Sequence, residues 1–342
     1  MIPKKIDRKL LPMMVTIGLF VAMFAAASLK YRGFFSLQVF LNLFIDNAFL
    51  LISAVGVTFV IITGGIDIST GAVMALVGVV TAFLVEKVGL SPAITLPLVI
   101  LMATLLGAGM GCLVTYFKFP PFVATLTGMF LARGLCYVIS VESITINNPF
   151  LTAVSHYQIH LGRHAFISIN VVVALVVMAA AIYLAQYTRF GRAVYAIGGS
   201  EQSALLMGLP VTRTKVLVYA LSGFCSGLAG VVFALYTLSG YGNNLVGYEM
   251  DAISSAVIGG TLLTGGVGYV LGSGFGVLVQ GVIQNIIMFD GTLNSWWTKI
   301  IVGLLTLAFI LMQRVLSAGK PVQLSAVTTR KPDGRAPASP IS

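Results

Sequence analysis

The sequence predicts an all-α protein, a polytopic transmembrane helical bundle of about ten spans. Three observations predict it. The chain is 58% hydrophobic and only 9% charged, with a mean hydropathy of +1.01. A soluble domain carries about 25% charged residues, so this chain cannot cover a water-facing surface. Its apolar runs are about 20 residues or longer rather than alternating ten-residue segments. In lipid every backbone N–H and C=O must be paired internally, so runs of that length select helices over a closed barrel. Finally, the basic residues fall mainly on alternate connections.

Taken in order, the spans are expected at 10–29, 39–63, 70–86, 92–116, 121–141, 166–186, 215–238, 250–265, 268–288 and 297–313. The first follows Lys4, Lys5, Arg8 and Lys9, as a signal peptide would. Ala25, Ala26 and Ala27 lie within the apolar run rather than beyond it, so the reading is an uncleaved first helix. The segment 250–265 is short and glycine-rich, and it also fits a broken or re-entrant piece buried in protein.

With residues 1–9 placed in the cytoplasm, fourteen basic residues fall on the inner side and five on the outer, with Arg133 inside a span. Both termini are therefore expected inside. The transmembrane domain is 10–313, with an external loop at 142–165 and the main internal loop at 187–214. The tail 314–342, rich in Pro, Ser, Thr, Lys and Arg, reads as disordered.

The net charge of +10 is explained by this topology, and no nucleic-acid partner is expected. Cys112, Cys136 and Cys225 lie in apolar runs without CxxC spacing, as small buried residues do. His156, His160 and His164 have a spacing that would set them on one helical face. No cysteine and no carboxylate beyond Glu142 accompanies them, so no metal is expected. The chain has no HExxH, GxSxG or P-loop pattern, hence no expected catalytic residue and no cofactor of its own. Active transport would draw on an ion gradient or on another subunit.

An ionisable group within a membrane points to function by default. Asp46, beside Asn47, lies near the outer end of the second span; Asp67 lies just before the third; Arg133 lies within the fifth. Asp67, with Ser69 and Thr70, reads either as the N-cap of that third span or as a substrate contact. Arg133 reads as a partner for a carboxylate or for helix C-terminal carbonyls, or as a sugar contact. Few deep carboxylates and no histidine in a span weigh against an ion-coupled secondary transporter, which is the alternative reading. The 37 glycines, clustered at Gly259, Gly260, Gly265, Gly266 and Gly268, suit close helix packing and gating.

The internal loop carries the most information. Ser200 is a good N-cap and Glu201 places negative charge in the first turn, so a helix of about two turns should run toward Gly208. Ala204, Leu205 and Met207 form its small, apolar face. Such a helix either lies on the bilayer surface or docks into a partner.

Four segments together resemble the ribose-type ABC importer permeases. They are Phe190-Gly191-Arg192 with Tyr195-Ala196-Ile197-Gly198-Gly199, Ala204 and Gly208; Thr63-Gly64-Gly65-Ile66-Asp67-Ile68-Ser69; Pro121 to Leu126, which includes Thr125; and Gly247-Tyr248-Glu249-Met250-Asp251-Ala252-Ile253 with Gly259-Gly260-Thr261 and Gly265-Gly266. The stretches 142–147 and 289–299 are similar to those of permeases in galactofuranose importers. Thr70 stands where that signature usually has Val, and Ser200-Glu201-Gln202 where Asn often leads.

The resemblance implies a type II-like importer permease in a bacterial inner membrane, carrying galactofuranose or a related pentose or hexose. It implies an ATP-binding cassette subunit that uses ATP and Mg, a second permease in a heterodimer or homodimer, and a periplasmic sugar-binding protein. It assigns coupling to that subunit to Gly191, Gly198, Gly199, Ser200, Glu201, Ala204, Met207 and Gly208. Asp46, Asn47, Asp67, Thr125, Arg133, Gly259 and Gly260 are the candidates for the pathway or its gating.

Overall fold

The computed structural model describes residues 11–161, 165–294 and 296–318. The expected N-terminal segment 1–9, His164 and the tail beyond 318 lie outside them. Helices α1 (Leu11–Lys30), α2 (Leu37–Ile45), α3 (Ala48–Ile62), α4 (Thr70–Glu86), α5 (Pro92–Thr115) and α6 (Pro121–Ile139) lead to strand β1 (Ile144–Thr145) and helix α7 (Pro149–His156). Strands β2 (Gln158–His160) and β3 (Phe166–Ser168) precede α8 (Ile169–Tyr187), α9 (Arg189–Gly199), α10 (Glu201–Leu206) and α11 (Val211–Thr237). Strand β4 (Ser239–Gly240), α12 (Tyr248–Ile258), α13 (Val270–Asp290) and α14 (Trp296–Ala318) complete the order.

Among the described residues, seven helices are long and apolar enough to cross a membrane, or eight if α2 and α3 count as one span. The expectation of about ten is not confirmed on length. The run 39–63 is broken at Asp46–Asn47, where α2 and α3 meet at 53°. Helix α4 has 17 residues and α12 only 11. At 1.5 Å per residue α12 covers about 16 Å, half of a hydrocarbon core of about 30 Å. The last helix continues to Ala318 rather than ending at 313.

Helix α3 is buried along its whole length, and α11 packs against it as well as against α4 and α5. Small residues make these approaches possible. A Cβ at Gly223 of α11 would come within 3.0 Å of the Gly107 Cα of α5, and one at Gly56 of α3 within 2.8 Å of the Cys225 Cβ. Helices α1, α6 and α14 instead leave most of their apolar surface exposed, as lipid-facing helices do.

One end of the bundle carries two small antiparallel sheets, β1 with β4 and β2 with β3. Glu86, closing α4, accepts from the backbone N–H groups of Asn147 and Asn148 at 2.8 Å each, and Asn148 caps α7. The expected external loop is thus structured. The single helical face expected for the histidines does not form: α7 ends at His156, and His160 lies on β2.

Helix α12 ends inside the bundle, where its last carbonyls need partners. Thr16 of α1 donates to the Ile258 carbonyl, and Gln313 Nε2 of α14 donates to the Val257 carbonyl at 3.1 Å. The turn 259–268 then reverses the chain into α13. These bonds put the start of α1, the end of α14 and this turn at one end of the bundle, the end to which α9 also packs.

Candidate coupling surface and buried polar groups

The internal loop is two helices rather than one. Thr188 begins α9, its hydroxyl accepting from the Gly191 N–H at 3.1 Å. Gly191 is required there, because a Cβ would collide with the Ala185 and Leu184 carbonyls of α8. Sequence reasoning missed α9 because Arg189, Gly191, Arg192 and Gly198 read locally as loop residues. Its alternation of buried Ala193, Val194 and Ile197 with exposed Arg192 is the helical signal that was available.

Ser200 separates the two helices and caps α10, its Oγ accepting from the Ser203 N–H at 3.2 Å. Glu201 in the first turn suits the helix dipole and also accepts from Lys215 Nζ of α11 at 2.6 Å. Ala204 is fully buried in a small cluster with Ile197 and Val211, which seats α10 on α9 and α11. It therefore does not share a face with Leu205 and Met207, as the sequence suggested. The outward side is Leu205, Leu206 and Met207, with Leu206 90% exposed. Gly208 ends the helix at φ +75°, and its N–H bonds to the Leu205 carbonyl at 2.9 Å.

Gly198 lies against backbone on two sides. A Cβ there would collide with the Ile62 carbonyl at the end of α3 and reach the Gly266 nitrogen at 2.5 Å. Gly199 has free space at its own Cβ position; Gly266 is the residue that must stay small, since a Cβ there would lie 2.9 Å from the Gly199 Cα. Tyr195 donates to the Gly268 carbonyl at 2.7 Å, and burial pushes its hydroxyl up to about 12, so it stays a donor at any physiological pH.

The transmembrane candidates separate into two groups. Asp67 is 1% exposed and accepts three hydrogen bonds: from Ser69 N–H at 2.9 Å, Ser69 Oγ at 2.6 Å and Ser222 Oγ of α11 at 2.6 Å. It is not the N-cap of α4; Ser69 holds that position, and Asp67 ties the non-helical stretch before α4 to α11. Thr125 of α6 braces the same stretch, its hydroxyl 3.3 Å from the Ile66 carbonyl and 3.4 Å from the Ile68 N–H. Gly259 and Gly260 lie in the turn after α12. A Cβ at Gly259 would collide with the Gly272 backbone of α13, and one at Gly260 would lie 3.0 Å from Pro12 of α1.

Asp46, Asn47 and Arg133 lie elsewhere. Asp46 accepts from the Tyr236 hydroxyl at 3.1 Å at the bend between α2 and α3. Asn47, buried, donates to the Leu43 carbonyl at 3.0 Å, and Gly281 of α13 packs against its amide. Arg133 forms no ion pair with a carboxylate among the described residues, and its bonded carbonyls are not those of a helix end. Its Nη1 donates to the Gly242 and Asn244 carbonyls at 2.6 and 2.7 Å, closing the turn that leads into α12.

Sequence reasoning missed Lys215, Ser222 and Tyr195. Lys215 could have been found, because Gly208 and Pro210 turn α10 back toward α11 and bring an opposite charge near Glu201. Ser222, 155 residues from Asp67, carries no local signal.

Residues 39–310 match the model of a family described as branched-chain amino acid transport system / permease component. The inner membrane ABC transporter permease protein YjfF of Escherichia coli K12 is 48% identical over 320 residues, 94% of this chain and 97% of that protein. The fructose import permease protein FruG of Bifidobacterium longum is 38% identical over 92% of this chain and 94% of its own length. The ribose import permease protein RbsC of Bacillus subtilis is 36% identical over 88% and 92%. No solved structure matches the chain.

Proposed function

The chain belongs to the permease family described as branched-chain amino acid transport system / permease component, and on that premise we propose that it is the membrane-crossing subunit of an ATP-driven sugar importer. Its cargo in this reading is galactofuranose or a related pentose or hexose. The ribose and fructose named for its relatives support a sugar, and the stretches 142–147 and 289–299 support galactofuranose.

The observation that carries the reading is α10. A six-residue helix is capped by Ser200, seated by Ala204 and tied by Glu201 to Lys215, yet it presents Leu205, Leu206 and Met207 outward. Exposed apolar residues on a rigid mount suit a partner protein. Arg189, Arg192, Arg213 and Lys215 flank it, which supports a cytoplasmic side. In this reading a separate ATP-binding cassette subunit, using ATP and Mg, grips α10. A second permease, most simply a different but similar chain, completes the pathway, and a periplasmic binding protein delivers the sugar. Binding and release of ATP then alternate which side of the paired permeases is open.

The test is purification of the tagged chain from its native membrane in mild detergent, followed by uptake of labelled galactofuranose, ribose and fructose into proteoliposomes. Recovery of an ATP-binding subunit with uptake that requires ATP supports the proposal. Uptake that persists without ATP and collapses with an ion gradient overturns it.

A further inference from the structure

We infer that the backbone junction joining α9, the end of α3 and the 259–268 turn is where movement of α10 enters the bundle, with Gly198 and Tyr195 as its positioning residues. This rests on the reading of α10 as the docking helix and adds the route that leads away from it.

Three contacts define the junction. Gly198 presses on the Ile62 carbonyl, the same oxygen that accepts from the Gly266 N–H at 2.8 Å. Gly265 and Gly266 have φ of +83° and +75°, and a Cβ on Gly265 would lie 2.8 Å from the Gly64 nitrogen. Tyr195 holds the far side of the turn through Gly268. Main chain therefore meets main chain with no side chain between. Long side chains can absorb a displacement by changing rotamer, whereas close-packed backbone passes it on.

The junction has two outlets. Ile62 leads into 63–69, which Asp67 ties to Ser222 of α11 and Thr125 ties to α6. Gly266 leads back through the turn to α12. That helix is short, its end is gripped by Thr16 and Gln313, and near its start Asp251 is ion-paired with Lys299 of α14. A push at Gly198 thus reaches α12 as a unit with α1 and α14, and reaches α11 through the 63–69 segment.

The test uses the complete importer, purified with its partners and reconstituted with labelled galactofuranose, or with ribose or fructose if the wild type carries those instead. Gly198→Ala adds the forbidden Cβ; Tyr195→Phe removes one hydrogen bond and leaves the packing. For Tyr195→Phe, the ATP-binding subunit should still co-purify and ATP hydrolysis should stay within about twofold. Sugar moved per ATP should fall at least about fivefold in Gly198→Ala and measurably in Tyr195→Phe. Amide exchange over 259–268 should rise in Tyr195→Phe, a change that loss of docking alone would not produce. Wild-type stoichiometry and exchange in Tyr195→Phe overturn the inference, even if Gly198→Ala fails to assemble. A wild type that transports without ATP overturns it together with the reading of α10.

Discussion

Lys215 donates to Glu201 across 2.6 Å, and that bond joins the first turn of α10 to the second turn of α11. The lysine side chain is 18% exposed and the glutamate 43%, so the pair lies at the rim of the seat rather than within it. It orients α10 without contributing much to global stability.

Reversing it with Glu201→Lys should leave the protein in the membrane and lower ATP-driven uptake. An exposed ion pair contributes up to about 1 kcal/mol, and reversal replaces attraction by similar repulsion. A swing of about 1–2 kcal/mol shifts the ratio of seated to unseated α10 roughly tenfold. Uptake should fall on that order while the melting temperature in detergent is unchanged. Lys215→Glu in the same chain should restore part of it.

Leu206→Asp should separate docking from folding. The side chain is 90% exposed, so its replacement removes no internal packing. The ATP-binding subunit should be lost from co-purification, while size-exclusion behaviour and thermal stability match wild type. Ala204→Leu should behave oppositely, because that position is fully buried against Ile197 and Val211. Overpacking there costs about 1–3 kcal/mol, read as a lower melting temperature.

Asp67→Asn should destabilise the protein by about 1–3 kcal/mol, measured by thermal unfolding in detergent. The asparagine oxygen can replace only part of the carboxylate's three acceptor bonds, and its NH2 adds two donors at a buried site. Ser222→Ala removes one charge-assisted bond and should cost less than Asp67→Ala. The double variant should fall short of the sum of the two singles, because the two residues share that bond.

Arg133→Met should release the turn at 241–247. Two backbone carbonyls, of Gly242 and Asn244, lose their cationic donor. Hydrogen exchange there should accelerate while α11 and α13 keep their protection. Arg133→Lys should give an intermediate rate, because an ammonium lacks the fixed fork of the guanidinium.

Much of the bundle is written in the hydropathy of the chain. The runs that became α5, α6, α8 and α13 end within two or three residues of the expected limits, because a long apolar run reports length directly. Hydropathy is blind to direction, so the break at Asp46–Asn47 left no trace in it. It is also blind to where a helix stops, and the run expected at 250–265 forms α12, which ends at Ile258 and is too short for a span. The cap at Ser200 was legible because capping is local. The inward turn of Ala204 was not, since six residues are too few for a periodicity to show. Asp67 looked like a cap because its donor Ser69 lies two residues away; the deciding donor, Ser222, comes from α11. Arg133 likewise found carbonyls more than 100 residues away in sequence.

The closure of α12 by Thr16 and Gln313 also sets an order on biosynthesis. The first of these residues precedes its acceptor by 242 positions and the second follows its acceptor by 56. When α12 leaves the ribosome, the hydroxyl for Ile258 is already in the membrane, but the amide for Val257 has not been translated. Until the last helix arrives, that carbonyl keeps only its backbone partner, the Gly260 N–H at 2.9 Å. A nascent chain halted before Gln313 would lack the side-chain bond that ties the end of α12 to α14. That bond can form only once the C-terminal helix is in place.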